Sequence, residues 1–170
     1  MREHATFFYF PIMAAKKKDT ERYREIRNSK AGRNFFIGEK FEAGVKLTGT
    51  EVKSIRAGKG QINDAFVRID SGDIPTLYHA YIDEYAFGNR ENHNPTRPRV
   101  LLLHKKEIDR IKLEMEAGGQ ALIPLRMYFK GGLVKVEVGL CKGKKLFDKR
   151  EDIKKKDQMR EAERAMSFRR

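Results

Sequence analysis

Apolar and polar residues alternate with a period of two along much of the chain between residues 35 and 142, as in half-buried β-strands. The alternation is clearest on either side of Gly131 and Gly132. Its apolar positions there are Ile123, Leu125, Met127, Phe129, Val134, Val136, Val138 and Leu140. Two glycines between such runs suit a two-residue turn, so the pattern predicts a β-hairpin.

Further strands are indicated upstream of this hairpin. Phe35 begins one that resumes at Phe41, and Val67 and Ile69 are the apolar positions of another. The Ser-Gly-Asp sequence at residues 71–73 predicts a turn into a following strand at residues 74–78.

Two helices are predicted between the strands. Thr48 and Glu51 match a capping box, in which each side chain accepts a hydrogen bond from the other residue's backbone amide, and Gly58 suits the end of that helix. The second helix is predicted from about His104 to Ala117, before two glycines. The apolar residues on its buried face are Ile108, Ile111 and Met115.

Many short strands, few helices and no strand–helix–strand rhythm predict a mainly β fold. We expect an OB-type closed Greek-key barrel with about two or three short helices. Three regions are expected: a flexible N-terminal arm at residues 1–30, the barrel at residues 31–142, and a basic C-terminal tail at residues 143–170. The tail has 11 Lys or Arg against 6 Asp or Glu, a net charge of +5. With few apolar residues, it is expected to be disordered when free.

The first residues need a separate interpretation. The apolar stretch at residues 5–15 contains Pro11 and is far shorter than the roughly 20 residues that a membrane span requires. We therefore expect no membrane association and no secretion signal. Met13 begins a sequence typical of a cytosolic N-terminus, and if translation starts there, residues 1–12 are not native.

The charge of the chain points to a polyanionic partner. The formal net charge is +13, and 36% of the residues are charged. Nucleic acid is the commonest polyanion for a small basic protein. The single cysteine, Cys141, excludes an intrachain disulfide and is expected to be a small apolar filler, which is consistent with a cytoplasmic location.

Patterns typical of an enzyme or a metal site are missing from the sequence. The four histidines show no zinc-ligand spacing, and no phosphate-binding loop or nucleophile motif occurs. Asp64, Glu84 and His79 could in principle act on RNA, but their spacing suggests neither a metal pair nor an acid–base dyad. We therefore expect neither an enzyme nor a cofactor.

Three sequence blocks, at residues 41–69, 94–108 and 142–151, carry a family resemblance. The first contains the glycine-punctuated string GTEVKSIRAG, and the third reads KGKKLFDKRE. With residues 28–31 and 152–157, they make the chain similar to the SsrA-binding (small protein B) family. The resemblance implies an OB barrel that binds the tRNA-like domain of transfer-messenger RNA (tmRNA) and brings it to stalled ribosomes.

The same resemblance implies how the parts are used. The body would replace the missing anticodon arm, and the tail would enter the decoding centre and the empty mRNA channel as a helix, contacting ribosomal RNA. The incomplete protein would then be tagged for degradation in trans-translation. The partners would be tmRNA and the ribosome, and the protein would act as a cytoplasmic monomer.

Site residues follow from the resemblance position by position. The expected RNA-binding residues are Asn28, Lys30, Glu42, Lys53, Arg56, Leu102, Lys105, Lys142, Lys144 and Lys145. The residues of the tail expected to engage the ribosome are Asp148, Lys149, Arg150, Lys154, Lys155 and Lys156.

Structural roles remain open for several of these positions. Asn28 could shape a loop, Glu42 could be an ordinary exposed strand residue, and Leu102 could belong to the core. Glu51 is assigned to the capping box rather than to RNA. A generic OB-fold RNA chaperone or ribosome-associated protein would explain the charge and the strands, but not the tail junction at residues 148–151.

Overall fold

Residues 23–88 and 92–167 are described by the structure, a computed structural model, except for the side chains at positions 153, 155, 156, 162, 163, 165 and 167. Of the predicted arm, residues 1–22 lie outside the described residues, and so does the proposed start at Met13. The elements are β1 (Ile26–Arg27), α1 (Ala31–Asn34), β2 (Phe35–Val45), α2 (Gly49–Arg56), β3 (Gly60–Gln61), β4 (Phe66–Asp70), β5 (Ile74–Tyr78), β6 (Tyr81–Ile82), β7 (Arg99–Leu102), α3 (Lys105–Glu116), β8 (Gln120–Lys130), β9 (Leu133–Gly143) and α4 (Leu146–Ser167).

Six antiparallel strands close into a barrel. Their order is β8-β4-β5-β7-β2-β9, and β9 pairs back with β8, so the ring has no free edge. β1 adds to β8 outside the ring, and β3 and β6 form a separate two-stranded sheet. The predicted mainly β, closed barrel is therefore confirmed. In this ring, β4 and β5 lie on the side opposite β2 and β9.

Both hairpin turns lie where the sequence predicts them, and their residues adopt the backbone conformations that such turns need. Gly131 and Gly132 have φ angles of 59° and 78°, the left-handed conformation that a two-residue hairpin turn requires. Between β4 and β5, Gly72 and Asp73 have φ angles of 83° and 65°. The β8–β9 turn pairs Lys130 with Leu133, and this register sets which side chains face outward as far as Arg126, where a bulge after Pro124 shifts it.

Both predicted helices are confirmed. In α2, Thr48 and Glu51 make the expected capping box. In α3, His104 and Glu107 make a second capping box that the sequence pattern did not suggest, and the helix ends before Gly118, whose φ is 87°. Hydrophobic burial between the barrel wall and these helices provides the core. Residues at most 1% exposed include Ala43, Ile55, Leu77, Leu101, Ile111, Leu122, Val136 and Val138.

Cys141 lies outside this core, in a second small apolar cluster with Ala31 and Ile123, and is fully buried there, which confirms its prediction as an apolar filler. Burial raises the pKa of its thiol to about 11, so the thiol stays protonated and unreactive near neutral pH.

The structure corrects the expected boundary of the flexible arm. We expected the arm to extend to residue 30, but Ile26 and Arg27 pair with Met127 and Arg126 of β8, and Ile26 is buried. The exposed edge groups of β8 and the apolar side chain of Ile26 explain why the chain is ordered here. The folded body thus begins before residue 31.

In the structure the tail forms the 22-residue helix α4, the conformation that the resemblance implies for it in the mRNA channel. Its residue types are mostly strong helix formers, and helical hydrogen bonds are local, so they need no hydrophobic core. The Asp148 carboxylate accepts a hydrogen bond from the backbone amide of Lys145 at the start of the helix (3.0 Å). No described helix is long and apolar enough to cross a membrane.

Candidate RNA-binding surface

The outer face of β2, β9 and β8 carries a continuous set of charged and aromatic side chains. The strand register places Glu42 beside Glu137, and Glu137 beside Arg126. Two pairs further along, on the same face, Lys135 lies next to Tyr128. Arg126 donates to Glu137 (2.6 Å) and stacks over the ring of Tyr128 (4.8 Å). Long charged side chains on three neighbouring strands form a polar wall that RNA could contact.

Glu42 is held at the centre of this wall by two donors. The hydroxyl of Tyr128 donates to its Oε2 (2.5 Å), and Lys130 Nζ donates to both carboxylate oxygens (2.8 and 2.7 Å). The hydrogen bonds from Lys130 and then Tyr128 hold the pKa of Glu42 below its usual range. The side chain is still 37% exposed. Glu42 is therefore an ionised, oriented hydrogen-bond acceptor that a partner can reach.

Leu102 shares a groove with Glu42. The groove has a volume of about 340 Å³, and its lining includes Glu42, Gly44, Leu102, His104, Leu133 and Lys135. Leu102 is 61% exposed, whereas the neighbouring Leu101 is only 1% exposed. The structure thus excludes a core position for Leu102. It provides an apolar contact beside an acidic acceptor, a combination suited to an unstacked base or a sugar edge.

Asn28 is occupied within the protein. Its amide nitrogen donates to the carbonyls of Ile62 (3.1 Å) and Pro124 (3.0 Å), and its amide oxygen accepts from the backbone amides of Lys30 and Ala31. This arrangement favours the loop-shaping interpretation over direct reading of a base. Asn28 also fixes the backbone that presents Lys30, whose ammonium pairs with Asp64 (2.7 Å).

Lys53 and Arg56 are exposed on the outward face of α2, as predicted. The ammonium of Lys53 lies 5.1 Å from the ring of Tyr85, and the guanidinium of Arg56 lies 5.7 Å from the ring of Tyr23. Lys105 is exposed at the first position of α3, directly after the groove. All three cations are available to phosphates.

The basic loop after β9 divides into exposed and internal lysines. Lys142 and Lys145 are exposed. The side chain of Lys144 is only 10% exposed, and its ammonium donates to the Gly32 carbonyl (2.8 Å) and to Asp152 (2.6 Å). It also lies over the ring of Phe36. Lys144 therefore joins α4 to the barrel in this arrangement instead of facing solvent.

The predicted tail residues lie on the first half of α4. Asp148 stabilises its start, and Arg150 and Lys154 are exposed. The side chains of Lys155 and Lys156 are outside the described residues. The helix thus carries cationic side chains away from the end of β9.

The structure brings the predicted RNA-binding residues together only in part. Glu42 and Leu102 share the groove, Lys53 and Arg56 lie on α2, and Lys142, Lys144 and Lys145 lie at the far end of β9. An 11-residue strand such as β9 spans roughly 35 Å. Such a spread suits a large folded RNA rather than a small ligand.

The sequence did not identify four residues of the wall as candidate RNA contacts: Arg126, Tyr128, Lys130 and Lys135. The alternation in β8 and β9 was enough to place them on the solvent face. Only the pairing of β2 with β9 puts them beside Glu42, and that pairing joins residues far apart in the sequence.

Glu51 caps α2 as predicted, and it also binds two arginine side chains. Its carboxylate is fully buried and receives hydrogen bonds from Arg97 (2.8 and 2.5 Å) and from Arg99 (2.8 Å). Burial alone would raise the pKa of Glu51, but the hydrogen bonds from Arg97, Thr48 and Arg99 lower it to about 2. Arg99 is also fully buried, and its guanidinium donates further to the Ala80, Arg97 and Pro95 carbonyls.

The residues considered for catalysis do not converge. Asp64 pairs with Lys30, and the ring of His79 stacks on Phe66. Across residues 23–88 and 92–167, no three His, Cys, Asp or Glu side chains are grouped so that they could share a metal ion.

Comparison with known proteins identifies the family. The family model described as SmpB protein matches residues 25–168. An SsrA-binding protein of Geobacter sulfurreducens is 58% identical over 139 residues, which are 82% of this chain and 90% of that protein. One from Shouchella clausii is 53% identical over 143 residues, 84% of this chain and 91% of that protein.

A solved structure gives the same result. A chain from the structure described as "tmRNA-SmpB: a journey to the center of the bacterial ribosome" is 41% identical and superposes with a TM-score of 0.62. The match covers 76% of this chain and 94% of that one. On the family model and these relatives, the chain belongs to the SmpB protein family.

Proposed function

We propose that this protein binds tmRNA (SsrA RNA) through its tRNA-like domain, delivers it to stalled ribosomes and enables trans-translation. The observation that carries the proposal is the 58% identity to a protein named SsrA-binding over 90% of that protein's length. The solved tmRNA-SmpB structure supports a ribosomal setting. In this role the protein is a cytoplasmic, monomeric adaptor that carries out no catalysis and needs no cofactor.

The geometry suggests what each group does. Glu42 accepts hydrogen bonds from base amino groups or 2′-hydroxyls, and Leu102 packs against an unstacked base or a sugar. Lys30, Lys53, Arg56, Lys105, Lys142 and Lys145 contact phosphates. Asn28 and Lys144 act through the backbone segments that they fix.

The division of the chain follows from the same role. Residues 31–142, extended to residue 23 by the structure, bind the RNA. Residues 143–170 engage the decoding centre and the mRNA channel, where Asp148, Lys149, Arg150, Lys154, Lys155 and Lys156 meet ribosomal RNA. A helix with cationic side chains suits a narrow channel lined with phosphates.

Replacing Glu42 by Gln tests the RNA-binding surface. If Glu42 accepts hydrogen bonds from the RNA, the variant should bind the tRNA-like domain about 10-fold to 100-fold more weakly, as expected for losing a charge-assisted hydrogen bond of ~1.5–3 kcal/mol. If Glu42 is only a surface charge, removing it should strengthen binding to a polyanion. The sign of the change in Kd, measured by titration at fixed salt, separates the two interpretations.

Glu116→Gln is the matched control for this test. Glu116 is an exposed carboxylate at the end of α3, next to the β4–β5 turn on the opposite side of the barrel. This variant should bind RNA as well as or slightly better than the unmodified protein. Unchanged or stronger binding by Glu42→Gln would exclude Glu42 as an RNA contact.

A further inference from the structure

A second ordered set of planar side chains lies on the outer face of β4 and β5. Phe66 pairs across the strands with Tyr78, and Arg68 follows two positions along β4 on the same face. His79 comes directly after β5. Phe66 is 38% exposed, and Arg68 and His79 are exposed as well. None of these residues belongs to the surface around Glu42.

Three of the four groups are stacked rings, and the guanidinium of Arg68 extends the row. The rings of Phe66 and Tyr78 have centroids 5.5 Å apart and an interplanar angle of 17°. The rings of Phe66 and His79 are also 5.5 Å apart, at 29°. The guanidinium of Arg68 lies 5.3 Å from the centroid of the Tyr78 ring. The row therefore runs from His79 through Phe66 and Tyr78 to Arg68.

Asp70 holds the Arg68 end of the row in place. Its carboxylate accepts from Arg68 Nε (2.9 Å) and from the hydroxyl of Tyr78 (2.7 Å). At the other end, His79 has a left-handed backbone with φ of 56°, a conformation that non-glycine residues adopt at a cost of roughly 1–2 kcal/mol. The planes are thus ordered before any partner arrives.

The row lies on other strands than the groove that carries Glu42. In the closed order of strands, β4 and β5 are opposite β2 and β9, which carry Glu42 and Lys142. The row is therefore separate from the groove that Glu42 and Leu102 line. It is available to a second contact.

We propose that this row is a second RNA-contacting site that stacks unpaired bases, beginning at the exposed His79 end. Stacked aromatic rings with an adjacent guanidinium on a sheet surface are the groups on which single-stranded bases stack. Because Asp70 neutralises Arg68, the contact depends on ring faces more than on phosphate attraction. It goes beyond the proposed function, which assigns no role to Phe66, Tyr78, Arg68 or His79.

The test uses the full-length protein and a ten-nucleotide, unstructured RNA that carries 2-aminopurine, a base whose fluorescence is quenched by stacking. The variant Phe66→Leu/His79→Asn keeps an apolar residue in β4 and a side chain that tolerates positive φ. It should lose the quenching and bind the oligonucleotide about 10-fold more weakly. Phe66→Tyr, which keeps the ring, should retain both properties, and far-UV circular dichroism checks that all variants fold.

Leu113→Ala is the matched control: Leu113 is an exposed apolar residue of α3 (72% exposed) that belongs to neither surface, so its variant should leave the quenching unchanged. The salt dependence of the quenched complex should be shallow, because few phosphates are neutralised in it. Quenching and affinity that are equal in Phe66→Leu/His79→Asn and in the unmodified protein would overturn the proposal. The result is separable from the proposed function, because affinity for the tRNA-like domain depends on Glu42.

Discussion

Deleting residues 148–170 is expected to abolish the tagging of stalled chains while leaving the affinity for the tRNA-like domain nearly unchanged at physiological salt. The barrel and its groove lie before residue 148, and the deleted part contains most of α4. Its net charge is small, with 9 Lys or Arg against 6 Asp or Glu, so its loss should weaken RNA binding only at low salt. Kd is measured by titration, and tagging in a reconstituted translation reaction with a non-stop mRNA.

A length-matched variant separates the charge of the tail from its presence. Replacing Lys154, Lys155 and Lys156 together by Gln preserves the helix-forming character of α4. This variant should tag chains less efficiently and still bind tmRNA normally. A large loss of RNA affinity in the truncated protein would contradict the division of labour between barrel and tail, as would normal tagging without residues 148–170.

Glu51→Gln is expected to lower the free energy of unfolding by about 3–5 kcal/mol, because it leaves the buried guanidinium of Arg99 without its counter-charge. Arg97→Met should cost less, because the Glu51 carboxylate keeps hydrogen bonds from Arg99 and from the Thr48 amide, so no buried charge loses its counter-charge. Urea unfolding at neutral pH gives both values. If both variants lowered the free energy of unfolding by nearly the same amount, the burial of Arg99 would not determine the strength of the network around Glu51.

The pH dependence of stability provides an independent check on Glu51. Its pKa is about 2 in the folded protein, against an ordinary value of 4.5. A group with a lowered folded pKa stabilises the fold fully above its unfolded pKa, and the contribution is lost as pH falls toward the folded value. Between pH 4.5 and pH 2, the protonation of Glu51 should therefore lower the free energy of unfolding of the unmodified protein by about 3 kcal/mol. The variant Glu51→Gln should show no such loss from this position.

Local sequence patterns were enough to predict the hairpins, both helices of the body and the barrel. Gly131 and Gly132 specify a turn within a few residues, and the capping box at Thr48 and Glu51 needs only one helical turn. These features depend on backbone geometry and on alternation of apolar and polar residues, and a short segment of sequence is enough to reveal both. Alternation correctly placed the side chains of β9 and of β8 from Arg126 onward. Before that point it was wrong, because a bulge between Pro124 and Arg126 shifts the register, so Leu122 enters the main core while Ile123 and Leu125 pack with Ala31 and Cys141.

The features that the sequence did not predict depend on contacts between distant segments. Arg99 looks like a surface cation in the sequence, yet it is buried because Glu51, 48 positions earlier, supplies its counter-charge. Leu102 lies in a run of leucines typical of a core, but the pairing of β7 with β2 turns it outward beside Gly44. The amide of Asn28 is occupied by two carbonyls that only the folded barrel brings near it.

The most direct test of the proposed function is competition binding at physiological salt, with tmRNA, bulk tRNA and an RNA duplex of similar length as competitors for the full-length protein. Affinities must be compared at one salt concentration, because phosphate contacts alone depend steeply on it. The account predicts strong preference for tmRNA over both competitors. Equal binding to all three would contradict it and would leave a basic OB-type RNA-binding protein of the chaperone kind.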